Sequence, residues 1–186
     1  MSICANELSG KALKGRLVPR NSEIGAAWGI AIKTLEKVET AVSWCPPEVG
    51  WTKANSDGSL LADRAGFGVV LRNEAGELLL AVAIQEKVLS SINVLEFHAI
   101  LHGLKMALSL GVPRVHIESD SATAIAWVQG KGCLPWRCFR DRMEILSLLP
   151  TFAAWKISHV PREGNQVADH LAAHCDSPGS STVSTQ

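Results

Sequence analysis

Three strand-like runs follow one another with little between them, and then the periodicity changes. GWTKANSD, GFGVVLRN and ELLLAVAIQE have the apolar and β-branched character of strands. The last two are joined by Asn73-Glu74-Ala75-Gly76, which has turn chemistry. From NVLEFHAILHGLKMALSLG the apolar pattern becomes that of a helix, with a glycine stop at Gly111. A short strand VHIESD, helices over SATAIAWVQ and WRCFRDRMEILSLL, a strand FAAWKISHV and a last helix NQVADHLAAH follow. This order, βββαβααβα, predicts a mixed α/β layer fold.

The chain has 186 residues, 47% of them apolar, enough for one domain with appendages. Cys45-Pro46-Pro47 punctuates the start of that domain. Residues 1–43 are expected to be an N-terminal appendage or linker, 44–175 the folded domain, and 176–186 a small, polar, disordered tail. Within the appendage, EIGAAWGIAIKTLEKVE places Ile24, Trp28, Ile32 and Leu35 near one helical face, although Gly25 and Gly29 weaken a helix there.

Lys plus Arg and Asp plus Glu are 18 each, so bulk charge draws no polyanion. A nucleic-acid site has to come from local patches, such as Lys131, Arg137, Arg140 and Arg142 against Asp141. Five scattered cysteines without a CxxC point to reduced thiols and against a zinc site or disulfide frame. No apolar run is long enough for a membrane span, and MSICANELSG is not a secretory leader. The expected setting is intracellular, in nucleus or cytoplasm. Lys11, Lys14, Arg16 and Arg20 are read as a solvated tail, with an organelle or nuclear address as the alternative.

Four acids stand out by position: Asp57 and Asp120 at strand ends, Glu96 in the long helix, and Asp169 in the last one. With Glu96 at 0° on a helical wheel, Ile100, Leu104 and Ala107 fall within about 80°, whereas His98, His102, Lys105 and Ser109 fall between about 180° and 240°. Glu96 therefore shares the apolar face. Three of these acids have a bland alternative. Asp57-Gly58 is a turn pair, Asp120 can cap the next helix, and Glu96 can close a capping box with Asn93 as N-cap. Together these alternatives are weaker, because acids at two strand ends of one sheet can lie side by side while helical acids approach from above. Two carboxylates about 4 Å apart repel by roughly 4 kcal/mol at an effective dielectric near 20. A hard divalent cation relieves that repulsion, and an all-oxygen donor set suits magnesium or manganese. The chemistry this suggests is metal-assisted phosphodiester hydrolysis.

At this point NSDGS, Gly66-Phe67-Gly68, VLEFHAILHGLKMAL, IESDS and HVPREGNQVADHLA stand in an order that resembles type 1 ribonuclease H domains, and in wording the plant ribonuclease H-like group related to non-LTR retroelements. The resemblance covers about residues 44–175 and rests on several separate motifs. It implies a ribonuclease H-like fold with a five-stranded mixed sheet flanked by helices, and hydrolysis of the RNA strand of RNA–DNA hybrids by a two-metal mechanism with two Mg2+ ions, or Mn2+. Asp57, Glu96, Asp120 and Asp169 match the family's metal-binding acids, with Asp57 shared by both ions. Ser91 and Asn93 match its pocket for a DNA-strand phosphate. The backbone around Gly58 and Ser59 would approach RNA 2′-hydroxyls. His159 has a spacing similar to the family's catalytic histidine. Alternatively it ends the last strand and leaves Arg162 or Glu163 near the metals.

The family's basic protrusion is not evident, and Trp136 with its neighbouring arginines is a candidate substitute. Core packing is the preferred reading for both Trp127 and Trp136. His98, His102, His170 and His174 are expected at the surface rather than on zinc. A monomer acting on RNA–DNA hybrid is expected. The rival readings are a non-catalytic hybrid or double-stranded RNA binding module, and an interaction protein that docks through its first 43 residues.

Overall fold

The computed structural model describes residues 43–87 and 91–175, together with the backbone of 181–183. The expected helix within 23–39, the basic stretch from Lys11 and Cys4 lie outside the described residues.

Strand β1, Thr52–Leu60, is buried from Thr52 to Gly58 and runs through the centre of the sheet. It pairs antiparallel with β2, Ala65–Arg72, which pairs antiparallel with β3, Leu78–Glu86. The β2–β3 turn is closed by Asn73, whose Oδ1 accepts from the amides of Ala75 and Glu77. On its other side β1 is parallel to β4, Arg114–Ser119, and β4 is parallel to β5, Ala154–His159. The expected five strands thus form one mixed sheet, in the order β5-β4-β1-β2-β3.

A sixth strand, β6, Ser181–Val183, lies within the stretch expected to be a disordered tail and pairs antiparallel with β3. The edge of β3 offers unpaired backbone groups, and Thr182 and Val183 are β-branched residues suited to meeting them.

Helix α1, Ile92–Ser109, lies across one sheet face and buries Phe97, Ile100 and Leu104 with Ala54, Phe67, Val69 and Ile117. It ends as expected at Gly111, which adopts φ 66°. Helices α2, Ala122–Val128, and α3, Phe139–Leu148, pack outside α1. The face of α1 expected to meet solvent is therefore largely covered. His98 Nε2 stands 3.2 Å from Asp141, Lys105 Nζ stands 2.9 Å from Glu144, and the His102 ring stacks obliquely on Phe67. The surface assignment of His98 and His102 is corrected accordingly: both are partly buried, His98 against Asp141 of α3 and His102 against Phe67 of β2. His170 and His174 are exposed, as expected.

Helix α4, Gln166–Ala173, covers the other face over Val70 and Ala81. Its approach depends on Gly68, where an added Cβ would sit 2.5 Å from the Ala168 carbonyl oxygen and 2.6 Å from the Ala172 nitrogen. This explains the second glycine of Gly66-Phe67-Gly68. The rest of that face is polar, and the segment 43–51 lies over it: Trp44 Nε1 donates to Asn55, and Lys156 sits 4.3 Å from the Trp51 ring centroid. Beneath lies a buried ion pair between Lys53 and Glu118, 2.7 Å long. No helix among the described residues is long and apolar enough to cross a membrane, and none of the described cysteines forms a disulfide.

A candidate active site of buried carboxylates

The bland alternatives for three of the acids fail in the structure. The Asp57-Gly58 pair is not a turn, because β1 continues with β2 as far as Leu60. Asp57 instead marks where the parallel ladder with β4 stops, at Ser56 opposite Ser119. Asp120 is not the cap of α2; Ser121 is, accepting from the amide of Ala124. Asn93 is not the N-cap of α1; Ser91 is, so Glu96 lies too deep in the helix for a capping box.

Register and helix packing bring Asp57, Asp120 and Glu96 together. Parallel pairing of β1 with β4 sets Asp57 beside Asp120, each one residue past the matched serines. Glu96 descends from the first turns of α1. Gly58 permits this, since a Cβ there would meet the Glu96 backbone nitrogen at 2.7 Å. One oxygen from each of the three carboxylates lies within 4.8 Å of the others. Asp57 is 3% exposed and Glu96 6%.

Burial, with the charge of Asp120 beside it, pushes Glu96 up to about 8, against hydrogen bonds from the Gly58 amide and the Ser119 hydroxyl that favour its charged form. Burial, then Glu96 and Asp120, push Asp57 well above the carboxylate range. Three acids in this geometry are stable either as partly protonated groups or around a cation. The donor set is all carboxylate oxygen, with no thiolate or imidazole among the three, and so fits a hard divalent ion.

Asp169 departs from the expected set of four. It is half-buried on α4, and its Oδ1 accepts from Arg162 Nη2 at 2.8 Å instead of joining the close group. Its charge still raises both Asp57 and Glu96.

His159 ends β5 and is exposed, with Nε2 3.0 Å from the Asp120 carbonyl oxygen. Since that oxygen can only accept, Nε2 carries the proton and Nδ1 is the basic nitrogen. Ser91 is exposed and its hydroxyl makes no capping bond, and Asn93 is partly buried one turn before Glu96. Ser59 is partly buried next to Gly58. Trp127 packs in the core with its ring 5.8 Å from that of Phe97, as expected. Trp136, expected in the core as well, is 85% exposed, because the single turn that it opens after Pro135 leaves its ring uncovered.

Two residues of the site were not singled out in the sequence. Ser119 is the last residue of β4, directly before Asp120, its hydroxyl 3.5 Å from Glu96 Oε2. Asn165 is 1% exposed, and its Nδ2 donates to the Ser56 carbonyl at 3.0 Å and to Asp57 Oδ1 at 3.2 Å. Its one signal was its place four residues before Asp169, at the start of a helix.

The mixed sheet, the crossing helix and the acids at the ends of the parallel ladder define a ribonuclease H-like domain. The chain belongs to the reverse-transcriptase-like family, which it matches over residues 55–175. A protein of Arabidopsis thaliana that carries the name ribonuclease H protein is 31% identical over 142 residues, covering 75% of this chain and 23% of that one. Ribonuclease HI of Halobacterium salinarum is 27% identical over 133 residues, covering 68% of this chain and 55% of that one. This chain therefore spans about a quarter and about half of the length of these two relatives. The crystal structure of RNase H1 from Halobacterium salinarum aligns with a TM-score of 0.62 at 26% identity, over 67% of this chain and 96% of that one. LC11-RNase H1, solved in complex with an RNA/DNA hybrid, aligns with a TM-score of 0.56 at 22% identity, over 64% of this chain and 92% of that one.

Proposed function

We propose that the domain is a divalent-metal-dependent endonuclease that hydrolyses the RNA strand of RNA–DNA hybrids, with domain limits at 44–175. The observation that carries this reading is the trio of buried Asp57, buried Glu96 and partly buried Asp120, whose carboxylate oxygens lie within 4.8 Å of one another on a ribonuclease H-like sheet. These carboxylates, joined by Asp169 when Arg162 releases it, would hold two Mg2+ or Mn2+ ions. Bound there, such ions would supply the positive charge that phosphodiester hydrolysis needs.

The chain's own groups do the rest. Burial of Asp57 and Glu96 excludes water from the carboxylates and strengthens their hold on a cation. His159 offers Nδ1 to accept and pass on a proton at the exposed rim of the site, with its ring oriented by the Asp120 carbonyl. The N-terminus of α1, with the Ser91 hydroxyl and the Asn93 amide beside it, suits a phosphate of the DNA strand. The backbone at Gly58 and Ser59 faces the 2′-hydroxyls of the RNA strand. Arg162, exposed beside Asp169, would meet a phosphate of the substrate backbone.

The test is cleavage of a labelled RNA–DNA hybrid by the full chain with magnesium, with manganese and with chelator, beside Asp57→Asn. Metal-dependent cutting of the RNA strand alone, lost in the variant, is expected. Folded protein that binds the hybrid and cuts nothing with either metal would replace this reading with a hybrid-binding module.

A further inference from the structure

The N-cap of α4 does not behave as an N-cap. Asn165 holds the position, and asparagine is among the residues best suited to it, because the side-chain oxygen can accept from the amides of the first turn. Here the side chain makes no capping bond. It turns away from its own helix, and its amide hydrogens go to the Ser56 carbonyl and Asp57 Oδ1, 109 and 108 residues away in the chain. Its Oδ1 is left buried without a hydrogen-bond partner. A buried acceptor without a donor is costly, and a capping orientation would have avoided it. Flipping the amide would set Oδ1 against the Ser56 carbonyl and Asp57 oxygens, so the two acceptors dictate which way it points.

The backbone of the same residue is also engaged. The Asn165 carbonyl accepts from the amide of Asp169 at 3.1 Å, the first helical bond of α4. Asn165 therefore touches Asp57 through its side chain and sets the start of the helix turn that carries Asp169. It lies where the last helix meets the central strand.

We infer that Asn165 is a positioning residue. Its amide stops rotation of the Asp57 carboxylate, leaves the second oxygen for the cluster, and ties the placing of Asp169 to that of Asp57. The inference rests on the metal-dependent reading above. Its role is that of a group that orients a ligand without touching the ion, and loss of such a group typically weakens metal binding about 10–100-fold.

Serine separates this role from capping. Asn165→Ser keeps a residue that caps as well as asparagine and removes the amide hydrogens. The measurement is calorimetric titration of the full chain with Mn2+ alone, beside thermal melts and hybrid cleavage. The expected result is a folded chain whose melt is lowered, since the buried Ser56 carbonyl loses its donor, with Mn2+ affinity lower by about tenfold or more. In cleavage, kcat is expected to fall with KM for the hybrid little changed. Mn2+ affinity in Asn165→Ser within about twofold of the native value would overturn the inference, because an orienting group costs at least about tenfold.

If the variant fails to fold, the native chain still decides the matter. The Asn165 side-chain amide protons, followed by NMR during Mg2+ titration, are expected to shift together with the Asp57 backbone amide. Protons that do not move while Asp57 does would overturn it. A native chain that binds no Mn2+ removes the metal reading itself, and this inference with it. Native binding with an unaffected variant removes the inference alone.

Discussion

Gly58 gives the sharpest test of how the site is assembled. It lies in β1 directly under the backbone of α1. An added Cβ would stand 2.7 Å from the Glu96 nitrogen, and 3.0 Å from both the Leu95 carbonyl carbon and its Cβ. These are main-chain atoms and a Cβ, so no rotamer change relieves the contact; α1 has to move. Gly58→Ala is therefore an overpacking change and is expected to cost about 1–3 kcal/mol. For a domain of this size that lowers Tm by roughly 2–10 °C. The displacement falls on the residue that carries Glu96, so Mn2+ affinity should drop along with stability.

The control is Gly103→Ala within α1, whose Cβ would meet Ile117 at 3.5 Å, Val69 at 3.6 Å and Ala54 at 3.9 Å, all ordinary contacts. There, alanine gains helix propensity of up to about 1 kcal/mol over glycine, so the variant should be neutral or more stable. Paired urea melts check both. A Gly58→Ala protein as stable as the native chain, or less damaged than Gly103→Ala, would refute the packing argument.

Two further predictions follow from the electrostatics. Glu96 binds its proton more tightly when folded, at about 8 against 4.5, and Asp57 shifts the same way. The folded state therefore holds more protons than the unfolded state across that window. In chelator, stability should be greatest below about pH 4.5 and be lost as pH rises through about 8, by on the order of 2–4 kcal/mol, with Mg2+ abolishing the loss. Urea midpoints that stay level from about pH 5 to about pH 8.5 in chelator would count against it. The second concerns the ion pair beneath the segment 43–51. Lys53→Met leaves Glu118 buried, with Asn55 and His116 as its remaining side-chain partners among the described residues. It should cost about 3–5 kcal/mol, most of it recovered by adding Glu118→Leu, as measured by a double-mutant cycle of urea melts. A double variant no better than the single one would refute the pairing argument.

Local signals carried much of the fold and of the site. Strand and helix periods, the Asn73–Gly76 turn and the Gly111 stop are properties of neighbouring residues, and the structure follows them. Glu96 was placed on the apolar face of its helix by angle alone, and it is buried there. The failures have a common cause. Whether Asp120 or Ser121 caps α2, and whether Asn93 or Ser91 caps α1, are choices between polar residues one or two positions apart that local pattern weighs equally. His98 and His102 were assigned to solvent because a helix seen alone has a polar face, yet α3 covers that face. Trp136 reads as a core residue because it is large and apolar, yet it is 85% exposed.

By itself, then, the sequence determined the order of elements, the faces they bury and which acids were worth watching, since all of these depend on spacing along a few turns of chain. Tertiary structure alone decided which carboxylates meet. Asp57 and Asp120 are neighbours because β1 and β4 pair in one particular parallel register, and Glu96 reaches them because Gly58 lets α1 sit low. Asp169 stands apart because Arg162, seven residues earlier, holds it. Asn165 serves Asp57 across 108 residues. Contacts at such separations are set by packing and register, and no periodicity in the chain encodes them.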